Sequence, residues 1–224
     1  MEIDFNKYPL PKKLRHHTAA NLYFPLEELK KRPPYYPPLI QKISWHDYFD
    51  DGKPPAILDI GCAKGKLLLD LTELKPEKNL LGIEVRKILV DWLDELIRKE
   101  NIPNAAVIWY SVVNGLPFIE SNSIDKILYL FPDPWPKRKH HKRRAFNKPV
   151  LQEFYRLLKT DAKLYLATDV EEVHEHHLQL LRESDMFDIE IIENDNKWGL
   201  PTTNKEAFCR RKNIHFDRII AVKK

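Results

Sequence analysis

Residues 54–65 read Pro54-Pro55-Ala56-Ile57-Leu58-Asp59-Ile60-Gly61-Cys62-Ala63-Lys64-Gly65. The apolar run over 56–60 has the length and bounds of a buried strand. It closes on an acid and a glycine, and the residues that follow predict a helix over 65–74. A strand that passes through a glycine turn into a helix is the opening unit of an α/β sheet. Glycine at 61 and 65 permits a tight turn and a close approach of backbone to a ligand. Ligands of open α/β sheets bind beyond the carboxyl ends of the strands, so this corner is the first candidate site.

Downstream, the pattern repeats. A strand is predicted over 79–84, inside which Gly82-Ile83-Glu84 ends on a second acid. A helix is predicted over 86–100, with Ile88, Leu89, Trp92, Leu93 and Leu96 on one side. Strands follow over 105–110 and 124–131, then a helix over 151–158, a strand over 162–168 and a helix over 170–184. Two final strands are predicted over 189–193 and 216–222. Strands alternating with helices predict an α/β, doubly wound, mostly parallel seven-stranded sheet. The last two strands have no predicted helix between them, which points to a C-terminal antiparallel hairpin. Their connection, 195–211, is long, and long connections in compact domains are often functional.

Upstream, residues 1–52 have a different character. Pro33, Pro34, Pro37 and Pro38 crowd together, and Lys12, Lys13 and Arg15 lie beside His16 and His17. Proline fixes φ and blocks helix interiors, so 1–52 reads as an irregular N-terminal arm with short helical pieces and one helix over 38–48. The domain proper is expected over 53–224.

Composition narrows the class. With 224 residues and 43% hydrophobic content, the chain can bury a real core. It has two cysteines, Cys62 and Cys209, which argues against a disulfide scaffold and fits a reducing, cytoplasmic setting. The first residues lack a basic stretch followed by an apolar one, and no apolar run has bilayer length, so neither a signal peptide nor a membrane partner is expected. No metal is expected either. His140 and His141 sit in a basic run, and His174, His176 and His177 are read as surface residues of one helix.

The net charge of +4 is unevenly spread. Residues 133–148 hold seven Lys or Arg against one Asp, a net +6, so the remainder sums to −2. A nearly neutral body with one concentrated basic segment suggests a polyanionic partner.

At the first corner, Gly61 and Glu84 have the separation expected of a glycine turn paired with a ribose-binding acid. The dinucleotide fingerprint Gly-x-Gly-x-x-Gly is not met, because Ala63 and Lys66 stand in its second and third places. Gly61-x-x-x-Gly65 fits the S-adenosylmethionine (SAM) turn better, although a nicotinamide site stays open at this point. Ser111, after the third strand, is placed to contact an adenine. Beyond the fourth strand runs Phe131-Pro132-Asp133-Pro134-Trp135-Pro136-Lys137-Arg138-Lys139-His140-His141-Lys142-Arg143-Arg144. Three prolines stiffen the loop, Asp133 falls at a strand's carboxyl edge where it should face a methyl donor, Trp135 offers a stacking face, and the cations suit phosphates.

This loop closely resembles the signature of the tRNA (guanine-N7)-methyltransferase family, Phe-Pro-Asp-Pro-Trp-Pro-Lys followed by a basic segment. The resemblance runs from about Leu58 to the C-terminus and takes in Gly82-Ile83-Glu84-Val85, Ala167-Thr168-Asp169, Trp198 and Thr203-x-x-Glu206. It implies a Rossmann-like SAM-dependent methyltransferase fold, SAM as cofactor and tRNA as substrate, with the methylated guanine in the variable loop. It also implies that Asp59, Gly61, Gly65, Glu84, Ser111 and Asp133 serve the cofactor and that Asp133 is catalytic. Lys137, Arg143, Arg144, Asp169, Thr203 and Glu206 are the expected tRNA contacts, with Asp169 and Glu206 reading the guanine N1–H and N2–H₂ donors. No protein partner is implied, and a monomer or homodimer is expected. The chain departs from the family at Asp59 (usually Glu), Ala63 (usually Gly), Ser111 (usually Asp or Asn), Lys205 (usually Tyr) and Phe208 (usually Arg). These departures keep open a second reading, an RNA-binding paralogue with impaired chemistry.

Overall fold

Strand β1 (Ile57–Ile60) is buried at every residue, as a central parallel strand requires. In the computed structural model, which describes residues 3–12 and 18–224, the chain divides into two compact units, Met1–Phe118 and Ile119–Lys224. Lys13, Arg15, His16 and His17 of the early basic cluster lie outside the described residues. The seven strands follow the order β3-β2-β1-β4-β5-β7-β6.

In the first unit, β1 pairs in parallel with β2 (Leu80–Glu84), and β2 with β3 (Ala105–Trp109). Helix α1 (Lys66–Leu74) follows β1, and α2 (Lys87–Lys99) follows β2. The α2 stripe buries Leu89, Val90, Trp92, Leu93, Leu96 and Ile97. Burying each such side chain stabilises by about 1.5–3 kcal/mol. Ile88, expected in the stripe, is 39% exposed, because the buried arc is centred one residue further round. The turn between β1 and α1 is fixed by packing. Gly65 has φ +74°, and a Cβ there would lie 2.6 Å from Leu93, so only glycine fits. Ala63 takes φ +50°, a left-handed conformation that costs an L-residue on the order of 1 kcal/mol.

The arm packs on its own unit. Tyr36 is fully buried, and its hydroxyl donates to the Phe24 carbonyl at 2.7 Å and bonds the Asn114 amide. Asn114 Oδ1 also accepts the Leu26 N–H at 2.8 Å. Lys7 and Tyr8 both donate to Glu100 at 2.6 Å. The helix expected over 38–48 is not formed. Only Trp45–Asp47 makes a 3₁₀ turn, without a side-chain cap. Pro38 removes a backbone donor, and β-branched Ile40 and Ile43 weaken what helical preference is left.

In the second unit, β4 (Ile124–Leu130) pairs in parallel with β5 (Leu158–Thr168), which pairs antiparallel with β7 (Asp217–Lys223). Strand β6 (Phe187–Ile191) completes the expected hairpin with β7. Helix α3 (Lys148–Leu157) is capped by the Asn147 side chain, which accepts from Val150 N–H, and carries Pro149 in its first turn. Helix α4 (Glu171–Ser184) follows β5. The β6–β7 connection is not helix-free, since it carries α5 (Asp195–Trp198) and α6 (Asn204–Lys212). Thr203 and Glu206 form a reciprocal capping box that starts α6, a local signal the hydrophobic pattern does not register.

The α4 histidines are not surface residues. His174 is 8% and His177 2% exposed, and His177 packs edge-on to Phe146 at 4.8 Å between centroids. Burial pulls the His177 imidazole down to about 3, so it stays neutral as a core residue. His176 Nε2 bonds the Phe146 carbonyl at 2.9 Å. Among the described residues no helix is long and apolar enough to cross a membrane.

Substituting Ala63→Gly is expected to relieve the left-handed strain and raise the melting temperature by about 2–4 °C, the shift that about 1 kcal/mol produces in a chain of this size. Scanning calorimetry of the two proteins checks it.

Candidate active site

Of the residues expected to serve the cofactor, Asp59, Gly61, Gly65, Glu84 and Ser111 belong to the first unit and Asp133 to the second. The β1–α1 turn is held by Gly61 N–H donating to the Ile83 carbonyl at 2.7 Å and Gly65 N–H to the Cys62 carbonyl at 2.8 Å. Gly61 has φ +80°, and the space where its Cβ would project is open. Glu84, at the end of β2, is 2% exposed. Its carboxylate accepts the Ala63 N–H at 3.1 Å and the Arg86 N–H at 3.0 Å. The Arg86 guanidinium closes on the same carboxylate in bidentate fashion, with Nε and a terminal nitrogen both at 2.9 Å. Arg86 lies two residues beyond Glu84, at the N-cap of α2, so the pair is local in origin. Arg86 was missed in the sequence, although an arginine two positions after a buried acid was a readable signal. An open turn beside a carboxylate whose partners are two backbone N–H groups and one part-exposed side chain fits the ribose of a nucleoside cofactor.

Asp59 is 5% exposed in β1. Burial first, and the neighbouring Glu84 charge second, push its carboxyl up to about 7. Close to neutrality this group is therefore half protonated, poised to ionise when a cation approaches. Ser111 is 2% exposed, and its hydroxyl donates to the Leu22 carbonyl of the arm at 2.7 Å. The expected adenine contact through this hydroxyl is thus already taken by the chain itself. The arm residue responsible is remote in sequence and carries no motif.

The second unit holds the loop that follows β4. Phe131 N–H donates to the Ala167 carbonyl at 2.7 Å, extending the β4–β5 ladder to the foot of the loop. Phe131 and Trp135 both adopt positive φ, +50° and +45°. Non-glycine residues in that region cost about 1–3 kcal/mol each and persist only where the surroundings impose them. Arg144 is part of that imposition. It is 7% exposed, with Nε donating to the Pro134 carbonyl at 3.1 Å and a terminal nitrogen to the Glu172 carbonyl at 3.3 Å. Arg144 staples the loop to α4, and its burial contradicts the expected phosphate contact. Arg143 stacks on Trp135, with its guanidinium carbon 5.0 Å from the ring centroid, and His140 meets the ring edge-on at 6.0 Å. One face of the expected stacking surface is therefore covered by Arg143, which that contact draws away from phosphate duty. The cations left exposed are Lys137, Arg138, Lys139 and Lys142. Asp133 is half-buried within this turn.

Asp169, after β5, pairs with Lys205 of α6 at 2.5 Å. Glu206 is fully buried. One of its oxygens accepts the Thr203 N–H at 2.6 Å, and the other accepts Arg218 Nε at 3.0 Å and a terminal nitrogen at 2.6 Å. No lone pair of Glu206 faces solvent, so the expected direct reading of guanine by this carboxylate is corrected. Its place is beneath the Thr203 turn, which it holds. Arg218 also bonds Asp195, and its guanidinium lies between the Trp198 and Phe216 rings, 5.0 and 4.9 Å from their centroids. Asp195, bonded to Arg210 and Arg218, has its carboxyl drawn down to about 2. Arg218 was missed, yet a lone arginine entering an apolar strand needs a buried acid, and Glu206 was the one in reach.

Comparison with known proteins places the chain in a family. A family model described as "Putative methyltransferase" matches residues 53–216. The tRNA (guanine-N(7)-)-methyltransferase of Lactobacillus gasseri is 31% identical over 138 residues, 62% of this chain and 64% of that enzyme. The enzyme of the same description from Thermosynechococcus vestitus is 33% identical over 150 residues, 64% of this chain and 68% of that enzyme. Among solved structures, a SAM-dependent methyltransferase from Aquifex aeolicus superposes with TM-score 0.52 at 18% identity, covering 76% of this chain and 82% of that one, a likeness of fold. The chain belongs to the tRNA (guanine-N7)-methyltransferase family.

Proposed function

We propose that the protein transfers a methyl group from SAM to N7 of a guanine in tRNA, in the variable loop. The observation that carries this reading is the loop after β4, in which one stapled turn presents Asp133 together with four exposed cations. Guanine N7 has an in-plane lone pair and no proton to lose, so no strong general base is needed. Bound SAM would supply an activated methyl group on a positively charged sulfur. The protein's task is then to hold N7 in line and close, about 3–3.5 Å from the methyl carbon. Glu84 would accept hydrogen bonds from the ribose hydroxyls in place of those it takes from Arg86. Asp59 and the Gly61–Gly65 turn would complete the cofactor's seat, while Ser111 ties Leu22 of the arm to the end of β3. Asp133 stabilises the positive charge that develops on the purine. Lys137, Arg138 and Lys139 hold the ribose-phosphate chain. Asp169 accepts from guanine after exchanging Lys205 for the base, while Glu206 positions Thr203 from below.

Incubation with labelled SAM and unmodified tRNA, followed by cleavage specific for 7-methylguanosine, tests the activity and its position. Labelled product that resists this cleavage would overturn the N7 assignment. Intact tRNA binding without any product would select the paralogue with impaired chemistry. Asp133→Ala is expected to lower kcat about 10²–10³-fold with tRNA affinity nearly unchanged, as single-turnover and binding measurements would register.

Replacing Lys137, Arg138 and Lys139 by alanine should flatten the dependence of log Kd on log salt by about 0.7–0.9 for each phosphate that is no longer neutralised. Titration of labelled tRNA across a salt series reads this, and an unchanged slope would remove these residues from the interface.

The Asp59 carboxyl is neutral below about 7 and charged above. Its charged form is the one that favours a cationic cofactor. SAM affinity should therefore rise from pH 5.5 to 7.5, by up to about tenfold per unit below the titration point, and Asp59→Asn should abolish that slope. Calorimetric titration at several pH values checks both.

A further inference from the structure

Helix α6 carries an outward surface beyond the Thr203–Glu206 turn. Its buried residues are Glu206 and Cys209, and Glu206, its single acid, is spent on Arg218 and Thr203. The outward side is cationic and holds one aromatic ring. Phe208 is 39% exposed. Lys205 Nζ lies 5.4 Å from its ring centroid and the Arg211 guanidinium 5.7 Å, one turn to either side. Arg210 is anchored by Asp195, and Lys205 is held by Asp169 until guanine takes that carboxylate and frees the ammonium for a phosphate. Among the described residues, no ion pair engages Arg211 or Lys212. Such a helix is rigidly seated, since the buried Glu206–Arg218 pair fixes its first turn to β7.

An exposed ring flanked by cations, with no exposed acid on the same helix, is complementary to a nucleotide. The base stacks on the ring while the phosphates meet the guanidinium and ammonium. A protein partner would call for a wider apolar patch around the ring, whereas Lys205, Arg210, Arg211 and Lys212 make cations the commonest side chains on this short helix. We propose that Phe208, with Lys205, Arg211 and Lys212, forms a second RNA contact, on which an unpaired nucleotide of the tRNA stacks outside the Thr203–Glu206 turn. This rests on the reading of tRNA as substrate and adds a second point of contact to it.

Fluorescence anisotropy with a labelled, unmodified tRNA transcript tests it, using the wild-type protein, Phe208→Ala, Phe208→Tyr and the double variant Arg211→Ala/Lys212→Ala, each checked for folding by circular dichroism. Phe208→Ala should weaken tRNA binding about 5- to 100-fold, and Phe208→Tyr, which keeps the ring, should restore it. The double variant should flatten the salt dependence by about 0.7–0.9 for each of the two phosphates these cations neutralise. Wild-type affinity in Phe208→Ala, in protein that methylates tRNA, would overturn the contact and leave the activity standing. Phe208-dependent tRNA binding by protein that makes no 7-methylguanosine would keep the contact and remove the activity. Failure of the wild-type protein to bind tRNA would remove both.

Discussion

A carboxylate taken out of water must be paired, and each of the two units is organised around one instance of that constraint. In the first, Glu84 is buried at the end of β2 and is satisfied by Arg86 and by the backbone of the turn after β1. In the second, Glu206 is buried at the start of α6 and is satisfied by Arg218 and the Thr203 backbone. Removing one member of such a pair leaves a desolvated charge and costs on the order of 3–5 kcal/mol. Each pair therefore locks a local shape that nothing weaker would hold, the glycine turn after β1 in one unit and the start of α6 in the other.

The two pairs differ in what they can release. Arg86 keeps about a quarter of its side chain in contact with solvent, whereas Arg218 is almost wholly enclosed between aromatic rings. A cofactor hydroxyl can exchange with the first arginine, because water receives it. Exchange with the second would strand a guanidinium among rings. This is why Glu84 suits direct binding and Glu206 suits support. Asp59, beside Glu84 but without an arginine of its own, meets the same constraint differently, by remaining protonated up to about pH 7.

Cations obey a parallel division in the loop after β4. Its basic run looks uniform in sequence but is sorted by tertiary contacts. Arg144 becomes a staple, Arg143 a cover for Trp135, and Arg138 and the lysines stay in water. Arginine is suited to the enclosed roles because its planar group is less strongly hydrated and bonds several carbonyls at once, while lysine keeps its hydration until a phosphate arrives. The positive φ at Phe131 and Trp135 shows the loop to be shaped by these anchors as much as by its prolines.

Period and punctuation in the sequence were enough to read the seven strands, their mostly parallel order, the closing hairpin and the glycine turn, because strand and helix periodicity are local properties. The long motif after β4 was equally legible, and with it the family. Local sequence also held the α6 capping box, which pattern reading passed over. What only the tertiary structure decided is which polar side chains remain available to a ligand. Glu206, Arg144 and Ser111 all sit at motif positions, yet each is consumed by a partner from another element, Arg218, the Pro134 and Glu172 carbonyls, and the Leu22 carbonyl. The same holds for the α4 histidines, which pack inward. Sequence sets the chemistry a residue can offer. Burial and the partners that desolvation compels determine whether it is offered, and those depend on contacts between residues distant in the chain.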